Sequence, residues 1–129
     1  MKRGELLYKE LSYKIYGFLF YIHNKLGRFC KEKGYADALE IILKENKIPF
    51  TREEVVPTDV LSRKMNLFRT DFIIDDKVVV EMKAKNLLTR DDYFQVFNYL
   101  KTKNIKLGLL VNFRSKFLKP KRVLNSLVN

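Results

Sequence analysis

Residues 68–85, FRTDFIIDDKVVVEMKAK, place charged side chains inside the most strand-prone stretch of the chain. Two runs rich in Val, Ile and Phe flank a short polar turn, which predicts a pair of antiparallel strands at residues 67–74 and 78–84. Because residues two apart on a strand share a face, Glu81 and Lys83 lie on the same face. A buried strand carries charge only where that charge has a partner, so this pair is a candidate functional site.

The length of the turn decides where Asp71 lies relative to Glu81. If residues 75–77 form a three-residue turn, Asp71 lies directly opposite Glu81. A two-residue turn would set Asp71 against Val80 and place the two carboxylates on opposite faces. Opposed carboxylates repel each other, and a hard divalent cation such as Mg²⁺ relieves the repulsion because it prefers oxygen ligands. The alternative is an ordinary Glu81–Lys83 ion pair on a half-exposed strand, which the apolar neighbours of both residues disfavour.

The remaining segments predict helices and strands around this pair. Apolar residues at helical spacing indicate two helices, at 5–26 and 29–46. Thr89 is the expected N-cap of a third helix. The other segments are KIPFTREEVVP, a strand bounded by Pro49 and Pro57; residues 58–66, a loop or small ribbon; and IKLGLLVNF, a central strand. The order α-α-β-β-β-α-β predicts an α/β fold with a mixed sheet flanked by helices. We expect a single domain over residues 1–129, with a basic C-terminal tail at 113–129.

The charge of the chain favours a polyanionic partner. Lys and Arg number 26 against 15 Asp and Glu, a net charge of +11, and the segment from Tyr93 onward holds eight basic residues and no acidic one. Such an excess favours nucleic acid over a merely solubilising surface. The residues expected to contact phosphates are Lys116, Lys119, Lys121 and Arg122. The chain has no Trp, and its aromatic residues lie mostly at helical spacing, so the sequence does not support a single-strand stacking platform.

The location and redox environment are constrained only weakly. The longest apolar run, residues 15–22, is too short to span a bilayer, and no signal-peptide pattern accompanies it. The single cysteine, Cys30, excludes an internal disulfide. We therefore expect a soluble cytoplasmic protein that does not associate with membranes.

Several segments, in the same order, resemble the GxxExxY family of the PD-(D/E)XK nuclease superfamily. Asp71, followed after nine residues by Glu81-Met82-Lys83, resembles the Asp…Glu-x-Lys signature of the superfamily. Glu32 and Tyr35 match the Glu and Tyr of the family motif, and Phe29 stands at its first glycine position. The resemblance covers about residues 10–125 through YKIYGFLFYIHNKLG, EKGYADAL, IPF, RTDFIIDDKVVVEMKA, QVFNYLK and KLGLLVNF.

The resemblance implies a restriction-endonuclease-like core and Mg²⁺-dependent hydrolysis of phosphodiesters, for which we expect DNA as the substrate. Mn²⁺ is an expected substitute for Mg²⁺. Asp71 and Glu81 would bind the metal, with the Met82 carbonyl as a further ligand. Lys83 would assist the attacking water or stabilise the developing charge.

Three further residues are candidates for the active site. Glu32 shares a helical stripe with apolar residues, so it is either a metal or water ligand or a first-turn acid favoured by the helix dipole. Gln95 and Tyr99 lie one turn apart and resemble the Gln-x-x-x-Tyr element of exonuclease-like superfamily members; core packing of Tyr99 is the alternative. The single histidine, His23, is expected to pack or cap rather than catalyse.

Two alternatives to a nuclease of this kind remain open. The fold could serve as a non-catalytic module that binds nucleic acid or protein, because a fold does not fix a function. The chain could also act as a homodimeric junction resolvase. Plasmid nicking, a preference for four-way junctions, or salt-sensitive binding without cleavage would distinguish the three possibilities.

Overall fold

The computed structural model describes residues 8–60 and 63–126, with side chains described outside residues 53–70. Its elements are α1 (Lys9–Leu26), α2 (Glu32–Glu45), β1 (Phe50–Val60), β2 (Arg63–Ile74), β3 (Val78–Lys83), α3 (Arg90–Lys103), β4 (Leu107–Asn112) and β5 (Lys121–Leu124). The predicted order is confirmed, and β5 adds a short strand within the basic tail. Residues 5–7 of the first predicted helix lie outside the described residues.

The five strands form one mixed sheet in the order β1-β2-β3-β4-β5. All neighbours are antiparallel except β3 and β4, which run parallel, so α3 is the crossover that connects them. The strand predicted to be central, β4, lies beside the central strand β3 and is covered by β5 on its other edge. The α/β fold with a mixed sheet flanked by helices is therefore confirmed, and its topology is consistent with a restriction-endonuclease-like core.

Helices cover both faces of the sheet, and each face has its own apolar cluster. On one face α1 and α2 pack through residues such as Leu19, Tyr35 and Leu39 against the even-numbered positions of β3. On the other face α3 packs through Val96 and Leu100 against Ile73 and Val79, among other residues. This burial on both faces explains why β3 and β4 are almost continuously apolar.

The edge strand β1 continues beyond its predicted end. Pro57 was expected to terminate the strand, but β1 runs to Val60, and its pairing with β2 shifts register between Val56 and Pro57. The expected boundary is therefore wrong. Proline lacks an N–H for the ladder, and an edge strand with a local irregularity tolerates it where a central strand would not. The predicted small ribbon at 58–66 corresponds to the continuation of β1 and β2.

The position of α3 is fixed by its first turn and by a close approach to β4. Thr89 is the N-cap, as predicted, and its hydroxyl and backbone exchange hydrogen bonds with Asp92 in a capping box. Farther along, α3 passes so close to β4 that a Cβ on Gly108 would lie 2.8 Å from a methyl carbon of Val96. Among the described helices, none is long and apolar enough to cross a membrane.

Candidate active site

The two predicted carboxylates converge on one face of the sheet. Residues 75–77 form a three-residue turn, in which Asp75 and Asp76 both adopt left-handed backbone angles that Asp tolerates well. The strand pairing Ile74–Val78, Ile73–Val79 and Phe72–Val80, carried one step further, sets Asp71 opposite Glu81. A carboxyl oxygen of Asp71 accepts a 2.7 Å hydrogen bond from the Met82 N–H, which fixes the orientation of Asp71.

Glu81 is the most perturbed acid of the site. Only 5% of its residue surface is exposed, because it is the fourth residue of a strand that is buried. Burial, a hydrogen bond to Asp71 and the charge of Asp71 together raise the pKa of Glu81 to about 9, with Glu32 adding to the rise and Lys83 opposing it. Without a metal ion, the Asp71–Glu81 pair therefore keeps one proton at neutral pH, whereas two solvent-exposed carboxylates would both be ionised.

This arrangement suits a hard divalent cation. The donors are carboxylate oxygens, and a cation between them would replace the proton that the pair otherwise keeps. Within the described residues, no three Asp, Glu, His or Cys side chains lie close enough together to hold a metal ion. A cation bound here would therefore depend on Asp71 and Glu81, completed by backbone oxygen or water.

Lys83 extends from the same strand face toward the first turn of α3. Its ammonium lies 3.9 Å from one carboxylate oxygen of Asp92, while the ammonium of Lys85 lies 2.6 Å from the other. Burial would raise the pKa of Asp92, but hydrogen bonds from Lys85 and Thr89 outweigh burial and lower it. Asp92 is therefore a buried anion between two lysines, and it positions Lys83 near Glu81. Asp92 was not among the predicted site residues, although its position three residues after Thr89 matches a capping box.

Glu32 lies at the edge of the site and not within the core. It is the first residue of α2 and is exposed, because the buried stripe of the helix begins at Tyr35 and ends at Leu43. The expectation that Glu32 lies on a buried apolar face is therefore wrong. Its charge nevertheless contributes to the raised pKa of Glu81, which places it within electrostatic reach of the carboxylate pair.

Gln95 and Tyr99 separate into an exposed residue and a buried one. Tyr99 belongs to the apolar cluster beneath α3, as the packing alternative anticipated. Gln95 is exposed, one turn beyond Asp92 on the helix that faces Glu81 and Lys83. Of the two, only Gln95 has a side chain available to a ligand at the surface.

The four basic residues expected to contact phosphates do not share one surface. Lys119 and Lys121 line a cleft of about 310 Å³ together with exposed Leu87 and Phe117. The ammonium of Lys116 lies over the Phe117 ring, 5.6 Å from its centre. Arg122 points to the opposite side of the sheet, where its guanidinium lies 3.3 Å from the hydroxyl of Tyr16 on α1. The structure thus brings the three lysines into one region and separates Arg122 from them.

A buried asparagine joins the two strand ends that carry the site. The Asn112 side chain donates to the Lys85 carbonyl at 2.7 Å and accepts from the N–H groups of Lys85 and Arg114. In addition, the Phe113 N–H donates to the Lys83 carbonyl at 2.8 Å. Asn112 was not predicted as a site residue, although a polar residue at the end of an apolar strand is a signal that the sequence contains.

Comparison with known proteins agrees with this fold. A solved structure, the crystal structure of SSO0001, has a similar fold, with a TM-score of 0.53 and 23% sequence identity. The match covers 70% of this chain and 48% of that one, so the chain spans about half the length of that protein. No curated protein matches the chain. The family model described as PD-(D/E)XK nuclease superfamily matches residues 9–123, and the chain belongs to that superfamily.

Proposed function

We propose that this chain is a metal-dependent nuclease that hydrolyses phosphodiester bonds in DNA. The observation that carries the proposal is the pair of opposed carboxylates, half-buried Asp71 and buried Glu81, with Lys83 on the same face of the sheet. Membership of a nuclease superfamily agrees with this chemistry. The motif residues Glu32 and Tyr35 further support a place in the GxxExxY branch of the superfamily.

Asp71 and Glu81 would hold Mg²⁺, or Mn²⁺ in its place, and the Met82 carbonyl is the proposed additional ligand. Such an ion, when bound, supplies a Lewis acid that lowers the pKa of water and neutralises charge on a phosphate. The hydrogen bond from the Met82 N–H holds the Asp71 carboxylate in place, and Asp71 also shares a side-chain hydrogen bond with Glu81. Burial of Glu81 excludes competing solvent from its side of the site.

Lys83 would stabilise the negative charge that develops on the phosphate during hydrolysis. Its ammonium is held near the carboxylates by Asp92 at a distance of 3.9 Å, which is long for a tight ion pair. The much shorter contact from Lys85 satisfies Asp92. Lys83 is thus oriented by Asp92 without being fully neutralised by it, and it keeps capacity to donate to a substrate oxygen.

Two substitutions test these roles. Glu81→Ala should lose both metal binding and cleavage, because it removes an oxygen ligand. Lys83→Met keeps the aliphatic stem and should retain metal binding, since losing an ammonium also removes repulsion toward the cation. Its cleavage rate should fall by about a hundredfold or more. Lys44→Met, on the exposed surface of α2, is the matched control and should behave like wild type.

Isothermal titration with Mg²⁺ or Mn²⁺, combined with cleavage of plasmid, linear, single-stranded and junction DNA, distinguishes the possible outcomes. A wild-type protein that binds no metal and cuts none of these substrates would contradict the nuclease proposal. Salt-sensitive binding without cleavage would indicate a binding module, and selective cutting of four-way junctions a resolvase. If Lys83→Met cuts as well as wild type, the proposed role of the lysine is wrong.

A further inference from the structure

Two arginines from distant parts of the chain meet beside the candidate active site. The Nε of Arg28 donates to the Arg114 carbonyl at 2.8 Å, and the Nε of Arg114 donates to the Arg28 carbonyl at 2.9 Å. Both guanidinium groups also lie over the Phe29 ring, with their central carbons 5.0 and 5.4 Å from its centre. The Phe29 side chain is nevertheless 74% exposed. We refer to Arg28, Phe29 and Arg114 as the arginine clamp.

The charges of the clamp have no counterion in the described part of the chain. No described carboxylate lies within ion-pair distance of Arg28 or Arg114, and their hydrogen bonds to protein use the Nε atoms. The terminal nitrogens of two adjacent guanidinium groups therefore remain available as donors. Fixed guanidinium donors of this kind match the oxygens of a phosphate.

The clamp is held rigidly by residues that connect it to the site. The Tyr35 hydroxyl donates to the Gly27 carbonyl at 2.6 Å and accepts from the Cys30 N–H at 3.1 Å, which fastens both ends of the loop that carries Arg28 and Phe29. The Tyr35 ring stacks on Phe113 at 4.1 Å. His23 of α1 anchors the segment that follows Arg114, because its Nε2 lies 2.9 Å from the Ser115 carbonyl oxygen.

Backbone contacts link the clamp to the ends of the strands that carry the candidate site. Lys83 pairs with Asn112 at the end of the parallel strands, and Asn112 bonds the backbone of Arg114. On the other side, Phe29 is three residues from Glu32, whose charge reaches Glu81. Both connections place the clamp at the end of the strands that carry the candidate site.

We infer that the arginine clamp binds an unpaired nucleotide of the substrate strand, with phosphate on the two guanidinium groups and the base against Phe29. An exposed aromatic ring offers a stacking surface to any base, whereas a base inside a duplex is already stacked. The inference rests on the proposed function and extends it, because it names the substrate class as nucleic acid with a single-stranded segment next to the cleavage site. The absence of Trp and the helical spacing of most aromatic residues argued against a single-strand stacking platform. Phe29 and the two arginines meet only in the folded chain, where 86 residues separate Arg28 from Arg114.

The test measures DNA binding in EDTA, where cleavage by a metal-dependent enzyme does not occur. Fluorescence anisotropy compares a short single-stranded oligodeoxynucleotide with a hairpin duplex of the same sequence. Phe29→Ala should weaken single-strand binding roughly tenfold or more and change duplex binding less than about twofold. Ile41→Ala, which truncates another exposed apolar residue of the protein, is the control and should change neither.

The two arginines are tested through salt dependence. Arg28→Gln/Arg114→Gln should lower the slope of log affinity against log salt by about 1.4 for the single strand. Arg28→Lys/Arg114→Lys keeps both charges and should keep the slope, which separates loss of charge from damage to the fold. Lys44→Gln/Lys47→Gln removes one charge from the last turn of α2 and one just beyond its C-terminal end, and should leave the slope unchanged.

These outcomes separate the clamp from the chemistry of the site. If the wild type cuts nothing but Phe29→Ala selectively loses single-strand affinity, the clamp stands and the nuclease proposal fails. If the wild type cuts DNA and the clamp variants bind single strands as tightly as wild type, the clamp inference is wrong. Equal loss of duplex and single-strand affinity in Phe29→Ala would also overturn it, because the ring would then not select unpaired bases.

Discussion

The raised pKa of Glu81 predicts an unusual dependence of stability on pH, which Glu81→Gln should abolish. A free glutamate has a pKa of 4.5, whereas the pKa of Glu81 in the folded protein is about 9. The folded state thus binds more protons than the unfolded state between these values. Its stabilising contribution is complete below pH 4.5 and is lost as the pH rises toward 9.

The size of the effect follows from the width of that window. Each pH unit within it changes the folding equilibrium up to tenfold, so the change from pH 5.5 to 8.5 approaches a thousandfold, or roughly 4 kcal/mol as an upper bound. Glutamine resembles the protonated acid and can donate to Asp71, so the variant should lose this dependence. It should be more stable than the metal-free wild type at pH 8.5 and similar to it at pH 5.5.

Urea unfolding in EDTA at several pH values measures the difference directly. The comparison uses wild type, Glu81→Gln and Glu45→Gln, in which an exposed glutamate of α2 is changed as a control. Parallel curves of wild type and Glu81→Gln between pH 5.5 and 8.5 would refute the reasoning. Mg²⁺ should stabilise the wild type most at high pH, since the cation replaces a proton, and should have little effect on the variant.

Other substitutions test the packing and the charged surface. Gly108→Ala should destabilise the protein by roughly 1–3 kcal/mol in urea unfolding, because the added methyl group would overlap Val96; an unchanged midpoint would show that α3 can shift away. Thr89→Ala should cost about 1 kcal/mol through loss of the cap, whereas Thr89→Ser should cost little. Lys119→Gln/Lys121→Gln should lower the slope of log affinity against log salt for duplex DNA by about 2. Arg122→Gln should lower this slope by less per charge, because Arg122 lies near Tyr16 on the other side of the sheet. Equal effects per charge would mean that nucleic acid reaches both sides of the sheet.

The carboxylate pair was predictable because it depends on local rules. Alternation along β3 assigns Glu81 and Lys83 to one face, and only the turn length was left open. The three-residue turn at 75–77 settles it, since consecutive aspartates adopt the left-handed angles that the turn needs. The order of helices and strands along the chain and the cap at Thr89 were predictable for the same reason, because each is determined by nearby residues.

The rest of the site depends on contacts between distant segments. No periodicity relates Arg28 to Arg114, which meet only because the loop before α2 and the end of β4 reach the same edge of the sheet. The exposure of Glu32 was missed because helical periodicity predicts which face of a helix a side chain lies on. It does not predict how far along the helix that face is covered by the rest of the protein. Pro57 was wrongly assigned as the end of the strand because proline is tolerated within an edge strand, and the sequence does not show which strand lies at the edge of the sheet.

Asp92 couples the start of α3 to the position of Lys83. The same carboxylate closes the first turn of α3 and orients Lys83, so any fraying of that turn releases the lysine as well. Local opening of helix ends requires less free energy than global unfolding. A molecule in which α3 has opened would therefore lose the lysine's alignment before it lost its fold, and the cleavage proposed to depend on Lys83 would report on the integrity of one helical turn.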